Sequence, residues 1–181
     1  MFVVAVANAK GGCGKTTIAT HLAAQFARQG YSSALGALDR QKSAKTWLGR
    51  RPKDAAKLRF ADLSDAPDAE LAKPVERLVI DSVAAMKDKL VEKVVKRADL
   101  IVIPTGPSAY DEDGVRLFLK QIELLKPIKK NKRAVAFVAN RVRPRTRAAT
   151  RLSAFLEEIA FPQIATIRDS QAYVDLAARG L

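Results

Sequence analysis

The sequence predicts an α/β fold in which a mostly parallel, twisted sheet is covered by helices on both faces. The first observation behind this prediction is a series of short, largely apolar runs, at residues 2–7, 34–38, 77–80, 100–104, 134–139 and 164–167. The second is that segments with helical periodicity separate these runs. Because the runs do not alternate with polar residues, they are typical of strands that are buried on both faces.

Length and composition agree with a single domain spanning residues 1–181. A chain of 181 residues with 48% apolar content is large enough to bury a core. One cysteine, Cys13, excludes a disulfide framework and a zinc cluster. No apolar stretch approaches the roughly 20 residues that span a bilayer, and the first residues lack the pattern of a secretion signal. We therefore expect a cytoplasmic protein.

A glycine-rich loop at residues 10–17 (Lys-Gly-Gly-Cys-Gly-Lys-Thr-Thr) connects the first predicted strand to a helix that begins at Ile18. This spacing predicts a phosphate-binding turn, because glycines let successive backbone N–H groups face a polyphosphate. Lys15 supplies a positive charge, Thr16 offers a hydroxyl to Mg²⁺, and the helix N-terminus adds a favourable partial charge. The alternative is an ordinary glycine-rich turn, against which the six matching positions argue.

Lys10 is the unusual residue of the glycine-rich loop. Ala9 stands where the common pattern has its first glycine, and a second lysine lies two residues before Gly12. Two ammonium groups in one loop repel each other unless a phosphate or a carboxylate lies between them. The alternative for Lys10 alone is an ordinary surface lysine, and Cys13 is most simply a small loop residue.

These motifs resemble the ParA/MinD superfamily of deviant Walker A ATPases, and its ParA branch is the most similar. The resemblance rests on the glycine-rich loop, residues 22–24, Gly30-Tyr31, residues 38–41 and Trp47. It implies a three-layer P-loop NTPase domain with ATP and Mg²⁺ as cofactors, and an ATP-dependent homodimer in which Lys10 reaches the partner's nucleotide. The nucleotide contacts that it implies in the loop come from Gly11, Gly12, Cys13, Gly14, Lys15, Thr16 and Thr17.

Two aspartates stand where predicted strands end. Asp81 closes an apolar run in the form of a Walker B strand, which would bring its carboxylate beside the loop; the alternative is a cap of the next helix. Asp39 closes an earlier run, and the resemblance implies that it positions the attacking water. Together with Thr16, these aspartates form the predicted Mg²⁺ set, and Lys10, Lys15 and Asp39 form the predicted catalytic set.

The chain departs from the family pattern near these aspartates. Ala37 replaces a frequent aspartate, Arg40 replaces a usual proline, and Ser82-Val83 follows Asp81 where other residues are common. Binding of ATP is therefore expected, with slow Mg²⁺-dependent hydrolysis. The alternative is a scaffold that binds ATP and DNA but hardly hydrolyses ATP.

Periodicity and stop signals mark three helices. The first carries Ile18, Leu22 and Phe26 at four-residue spacing and ends at Gly30; the others are predicted at residues 87–97 and 111–126, the last ended by Pro127. Three acidic residues at the start of the third helix favour a solvated helix N-terminus. They are Asp111, Glu112 and Asp113.

The remaining segments give weaker signals. Residues 52–74 are predicted to be a connection with a possible short strand at residues 58–61. Pro104 and Pro107 are expected to fix a loop and not to continue a central strand. Asn140-Arg141 is expected to end a strand, and the resemblance implies that it contacts the base of the nucleotide; the alternative for Asn140 is a turn residue.

Positive charge is concentrated in one stretch, residues 120–151, which we call the basic segment. It holds eleven lysines and arginines against one acid, and so contributes +10 of the formal net charge of +13. This concentration predicts salt-dependent, non-specific contact with DNA phosphates; the alternative is a solvated basic face. The predicted DNA contacts are Arg143, Arg145, Arg147 and Arg151.

The function that these observations predict is that of a ParA-type positioning ATPase associated with the nucleoid. The resemblance implies that an ATP-bound dimer binds DNA, and that a ParB-like protein or cargo adaptor stimulates hydrolysis. The cargo would be a plasmid, a chromosome or a protein assembly. A MinD-like membrane switch predicts a basic amphipathic C-terminal helix, which residues 169–181 match poorly. An iron–sulfur carrier requires paired cysteines and is excluded.

Overall fold

The computed structural model describes residues 1–39 and 43–181. Within these residues, strands and helices alternate along most of the chain. The strands are β1 (Phe2–Val6), β2 (Ser33–Ala37), β3 (Arg59–Asp62), β4 (Arg77–Asp81), β5 (Leu100–Thr105), β6 (Ala134–Val142) and β7 (Gln163–Arg168). The helices are α1 (Lys15–Arg28), α2 (Ser43–Gly49), α3 (Asp88–Arg97), α4 (Ala109–Ile122), α5 (Lys126–Lys129), α6 (Arg147–Glu157) and α7 (Ala172–Ala178).

The described strands form one sheet in the order β3-β2-β4-β1-β5-β6-β7, and every neighbouring pair is parallel. The carboxyl ends of all strands therefore lie at one edge of the sheet. This arrangement confirms the predicted α/β class. The predicted short strand near residue 60 is also confirmed as β3, which lies at one end of the sheet.

The hydrophobic core lies on both faces of the sheet. Along β1, Val3 and Ala5 belong to the cluster that packs with α3, α4 and α6, whereas Val4 and Val6 belong to the cluster that packs with α1 and α2. Alternate residues of one strand thus pack into opposite layers. This double burial explains why the sequence of the strand is continuously apolar.

The third predicted helix ends earlier than expected. α4 ends at Ile122, and Pro127 lies in the first turn of the separate short helix α5 instead of ending α4. Proline is compatible with that position because the first N–H groups of a helix have no intrahelical acceptor. The expected helix over residues 111–126 is wrong at its C-terminal end for this reason.

Pro104 continues a central strand, contrary to expectation. It lies within β5 and pairs with Val138 of β6. On the other side, the pairing of β5 with β1 ends at Val102, and the Pro104 carbonyl accepts a hydrogen bond of 2.8 Å from the Asn8 side chain. Because β1 has already ended there, the missing N–H of Pro104 removes no ladder hydrogen bond.

β6 is longer than predicted. It continues through Asn140 and Arg141 to Val142, with an irregular register against β7 between Ala139 and Val142. Arg141 has a φ of 56°, so the strand is distorted at this residue. The predicted strand end is therefore wrong, although the regular pairing does stop before Asn140. Arg40 and Gln41 lie outside the described residues.

No helix in the described ranges combines the length and apolar character that crossing a membrane requires.

Candidate nucleotide-binding site

The glycine-rich loop folds around the side chain of Lys15. The Lys15 ammonium donates a 2.6 Å hydrogen bond to the Lys10 carbonyl oxygen and lies 3.8 Å from the Cys13 sulfur. Gly12 and Gly14 have φ values of 74° and 99°, which favour glycine. The loop thus turns back on itself directly before α1, and the amides of the first turn of α1 have no intrahelical acceptors. A polyphosphate fits such a helix start.

Asn140 supports the loop from the sheet. Its side chain is buried, and the Asn140 Nδ2 atom donates a 2.8 Å hydrogen bond to the Cys13 carbonyl. A Cβ atom placed on Gly14 would lie 2.2 Å from this Nδ2 atom, so only glycine fits here. The resemblance implied that Asn140 contacts the base of a nucleotide, with a turn residue as the alternative, and this contact with the loop was not predicted.

Asp81 lies at the carboxyl end of β4 and is only 2% exposed. Its Oδ1 atom has no hydrogen-bond partner among the described residues. Burial raises the pKa of this carboxyl to about 6, while a hydrogen bond from the Thr16 side chain and the charge of Lys15 lower it and Asp39 raises it. A buried carboxylate with a free oxygen beside a hydroxyl matches the oxygen donors that Mg²⁺ prefers.

Asp39 follows β2 at the same edge of the sheet. Ala37, two residues earlier, pairs with Asp81 across the β2–β4 ladder. The Ser43 hydroxyl donates a 3.2 Å hydrogen bond to Asp39 Oδ2. The fold therefore brings the three predicted Mg²⁺ ligands, Thr16, Asp39 and Asp81, to one edge of the sheet.

Lys10 points toward α4. Its ammonium forms a 3.0 Å ion pair with Asp111 and lies 5.8 Å from the centre of the Tyr110 ring. A Cβ atom on Gly114 would approach the Lys10 Cβ to 2.7 Å, so the missing side chain of Gly114 allows this close packing. The charge of Lys10 is thus paired with a carboxylate from a distant part of the chain.

The acidic residues of the first turn of α4 are not all solvated, contrary to the sequence interpretation. Asp111 pairs with Lys10, and Glu112, whose side chain is 11% exposed, forms a 2.8 Å ion pair with Arg151. Only Asp113 is exposed. Local sequence favours negative charge at a helix start for its own sake, so it gave no signal that two of these carboxylates have distant partners.

The four predicted DNA contacts differ in their surroundings. Arg143 forms a 2.6 Å ion pair with Asp169, and Arg151 pairs with Glu112. Arg145 and Arg147 are exposed, and no carboxylate of the described residues lies within ion-pair distance of either. The basic segment therefore contains both paired and unpaired arginines.

A cavity of about 600 Å³ lies next to the start of α1. Its lining includes Thr17, Asn140, Arg141, Asp169 and Tyr173. The cavity has the size of a small-molecule site. It contains both residues that were predicted to contact the base, and the contribution of Asp169 and Tyr173, which come from the end of β7 and from α7, was not predicted.

Comparisons with known proteins agree with this geometry. Residues 4–181 match the family described as the CobQ/CobB/MinD/ParA nucleotide binding domain. The Maintenance of carboxysome distribution protein A of Halothiobacillus neapolitanus is 29% identical over 188 residues, which cover 99% of this chain and 85% of that protein. The ParA protein of Rhizobium radiobacter is 29% identical over 119 residues, which cover 61% of this chain and 51% of the relative.

Solved structures with the same fold include the ATP complex of an aspartate-to-alanine variant of McdA from Cyanothece. It has a TM-score of 0.81 at 17% identity and covers 100% of this chain and 88% of that one. A putative plasmid partition protein from Borrelia burgdorferi bound to AMPPNP has a TM-score of 0.75 at 15% identity, over 98% of this chain and 89% of that one. At these identities the likeness concerns the fold.

Proposed function

This chain belongs to the CobQ/CobB/MinD/ParA nucleotide-binding family, and from that premise we propose that it is a ParA-type ATPase that positions a cargo. The observation that carries the proposal is the conjunction of two lysines in one glycine-rich loop with the buried, half-unpartnered carboxylate of Asp81. A triphosphate with Mg²⁺ supplies an anion for Lys15, whose ammonium donates to a carbonyl oxygen and contacts a sulfur, and a cation for the Oδ1 atom of Asp81.

In the nucleotide complex that we propose, the loop amides of residues 11–17 and Lys15 bind the phosphates. Thr16, Asp39 and Asp81 hold Mg²⁺ directly or through water, and Asp39 positions the attacking water. The base occupies the cavity lined by Asn140 and Arg141. Bound Mg²⁺ neutralises the charge that builds up during slow hydrolysis of ATP to ADP and phosphate.

Lys10 has a different role in this proposal. Its side chain is 31% exposed, and its ammonium lies 3.0 Å from Asp111 of α4. In an ATP-dependent homodimer, Lys10 leaves Asp111 and reaches the nucleotide of the partner. Two chains then close over two nucleotides, and both active sites depend on the dimer.

Through the basic segment, the dimer binds DNA without sequence preference and is thereby retained in the nucleoid. A ParB-like protein or cargo adaptor would stimulate hydrolysis and release the dimer from DNA. Relatives named for carboxysome distribution and for plasmid partition support a protein assembly or a plasmid as the cargo.

The experiment that tests this proposal compares three lysine variants. We expect Lys15→Ala to lose binding of a fluorescent ATP analogue, and Lys10→Ala to keep it but to lose the ATP-dependent dimer in size-exclusion chromatography with light scattering. Lys89→Ala, which removes an exposed lysine of α3, serves as the control and should behave like the wild type. Unchanged ATP affinity in the Lys15 variant would refute the site.

A scaffold that binds ATP and DNA with little hydrolysis remains the second candidate. It is favoured by Ala37 of β2, which pairs with Asp81 of β4 and offers no second carboxylate at this position. Phosphate release measured with DNA and a cognate partner separates the two functions. Absence of turnover under every condition would favour the scaffold.

A further inference from the structure

We propose that Glu112 and Asp169 act as internal competitors for DNA phosphate, and that they limit DNA affinity by pairing with Arg151 and Arg143 of the basic segment. This inference rests on the proposed DNA binding and adds its regulation. It predicts that the four arginines Arg143, Arg145, Arg147 and Arg151 contribute unequally to DNA affinity. Arg145 and Arg147 are available to a duplex, and the two outer arginines are available only after they leave a carboxylate.

The pair of Glu112 and Arg151 carries the argument. The Glu112 side chain is 11% exposed, while the Arg151 side chain is 58% exposed, and they meet at 2.8 Å. Departure of Arg151 would leave a nearly buried carboxylate without its cation, which costs on the scale of a broken charged hydrogen bond. The free energy of binding of Arg151 to a DNA phosphate is therefore reduced by the cost of leaving Glu112, a cost that a free arginine does not have.

The pair of Arg143 and Asp169 connects the basic segment to the nucleotide cavity. Arg143 Nε donates to Asp169 Oδ2 at 2.6 Å, and Asp169 lines the 600 Å³ cavity beside Thr17. Both groups are more exposed than Glu112, so this ion pair is weaker. A hydroxyl or amino group of a bound nucleotide that donates to Asp169 would weaken it further and release Arg143.

The same first turn of α4 touches both sites. Asp111 pairs with Lys10 of the glycine-rich loop, and the next residue, Glu112, pairs with Arg151 of the basic segment. Negative charge at this helix start is favourable in itself, so the turn keeps two carboxylates that bind cations from two different surfaces. The position of α4 therefore affects both the loop and the availability of Arg151.

The test uses Glu112→Gln in the full chain, because glutamine keeps the shape and removes the charge. Binding of a fluorescent duplex of unrelated sequence is titrated over a range of salt, with and without a non-hydrolysable ATP analogue. We expect Kd to fall roughly three- to tenfold. The dependence of log K on log salt should steepen by about 0.9, the slope of one added phosphate contact. In an Arg151→Ala background, Glu112→Gln should change neither quantity.

Asp113→Asn is the matched control. It removes one negative charge from the same turn, and Asp113 is exposed and interacts with Arg151 electrostatically without the hydrogen bond that Glu112 accepts, so its effect should be smaller. An equal effect of both neutral variants, or an effect of Glu112→Gln that persists without Arg151, would overturn the inference while leaving the proposed function intact. Failure of every variant to bind DNA in any nucleotide state would instead overturn the proposed DNA binding and the inference with it. Thermal unfolding verifies that each variant is folded.

Discussion

Asp81 shows how a single residue combines a structural cost with a functional use. It is nearly fully buried, and one carboxylate oxygen has no partner in the described part of the chain. The folded protein therefore disfavours the ionised form of Asp81 relative to the unfolded chain. A cation bound at this position would remove that cost, so the strain is concentrated where Mg²⁺ is proposed to bind.

The pH dependence follows from the direction of this shift. Because the pKa of Asp81 rises from 3.8 to about 6 on folding, the protonated form is favoured in the folded state. Its stabilising contribution is complete below the unfolded pKa and is lost as pH rises through about 6. At pH 7.5 and without nucleotide, we expect Asp81→Asn to unfold at a higher denaturant concentration than the wild type. The gain in the free energy of unfolding should be roughly 3 kcal/mol at most.

The difference between Asp81→Asn and the wild type should shrink at pH 5, where the wild-type carboxyl is largely protonated. Adding ATP with Mg²⁺ should stabilise the wild type more than ATP with EDTA, and the variant should not show this gain. A variant that is less stable than the wild type at both pH values would contradict the assignment of strain to Asp81.

Asn140 is the second residue whose contacts lead to a prediction. Asn140→Ala removes the 2.8 Å hydrogen bond to the Cys13 carbonyl and leaves that carbonyl unpaired in a buried position. We expect a loss of about 1–2 kcal/mol in unfolding free energy and a weaker affinity for ATP, because the loop is less fixed. Gln121→Ala is the control for loss of a side-chain amide, because it removes hydrogen bonds of 3.0 Å to Asp88 and 3.4 Å to the Met86 carbonyl away from the loop.

At the scale of secondary structure, α4 contacts both the glycine-rich loop and the basic segment. Its first turn pairs with Lys10 and Arg151, and Gly114 lets the loop approach its backbone. Ser108 caps the helix, since its hydroxyl accepts a hydrogen bond from the Asp111 N–H. A shift of α4 would therefore alter the position of Lys10 directly.

Gly114→Ala tests this close packing. Alanine favours a helix by about 1 kcal/mol over glycine, but its Cβ would lie 2.7 Å from the Lys10 Cβ. We expect net destabilisation in chemical unfolding and a weaker ATP-dependent dimer, because α4 or the loop must move. Gly49→Ala in α2 is the control, since no atom lies within 4 Å of its added Cβ. Stabilisation by both substitutions would show that α4 and the loop can accommodate a Cβ atom at residue 114, and would contradict the close packing.

At the scale of the whole molecule, the distribution of charge matters more than its total. The basic segment carries most of the formal net charge of +13, and it includes β6 and the start of α6. The strand β6 divides this charge, so that the lysines before β6 and the arginines after it lie at opposite edges of the sheet, and the proposed DNA contact concerns the arginines at the carboxyl edge. Arg145 lies between β6 and α6, and Arg147 is the first residue of α6. Neither forms an ion pair with a carboxylate of the described residues.

Reversing these two charges should reduce DNA binding specifically. We expect Arg145→Glu with Arg147→Glu to weaken retention on DNA at low salt and to flatten the salt dependence of log K by about 2. Lys53→Glu with Lys57→Glu changes the net charge equally at exposed positions outside the basic segment. Equal loss in both double variants would indicate a general charge effect and would contradict a local DNA surface.

The sequence by itself determined the class of fold, the glycine-rich loop and the two strand-end aspartates. Buried parallel strands must be apolar on both faces, and a phosphate turn needs glycine at fixed spacings, so both leave local patterns. The same locality explains the errors at Pro104 and Pro127. Whether a proline is tolerated depends on which neighbour its nitrogen faces, and that neighbour is distant in sequence.

Only the tertiary structure decided which charges meet. Lys10 and Asp111 are about a hundred residues apart in the chain, and Glu112 and Arg151 are 39 apart, so no local pattern records either pair. Such pairs form because the ends of parallel strands bring remote loops and helix starts to one edge of the sheet. The sequence therefore identifies the charged side chains, whereas the packing of α4 and α6 determines which of them form ion pairs.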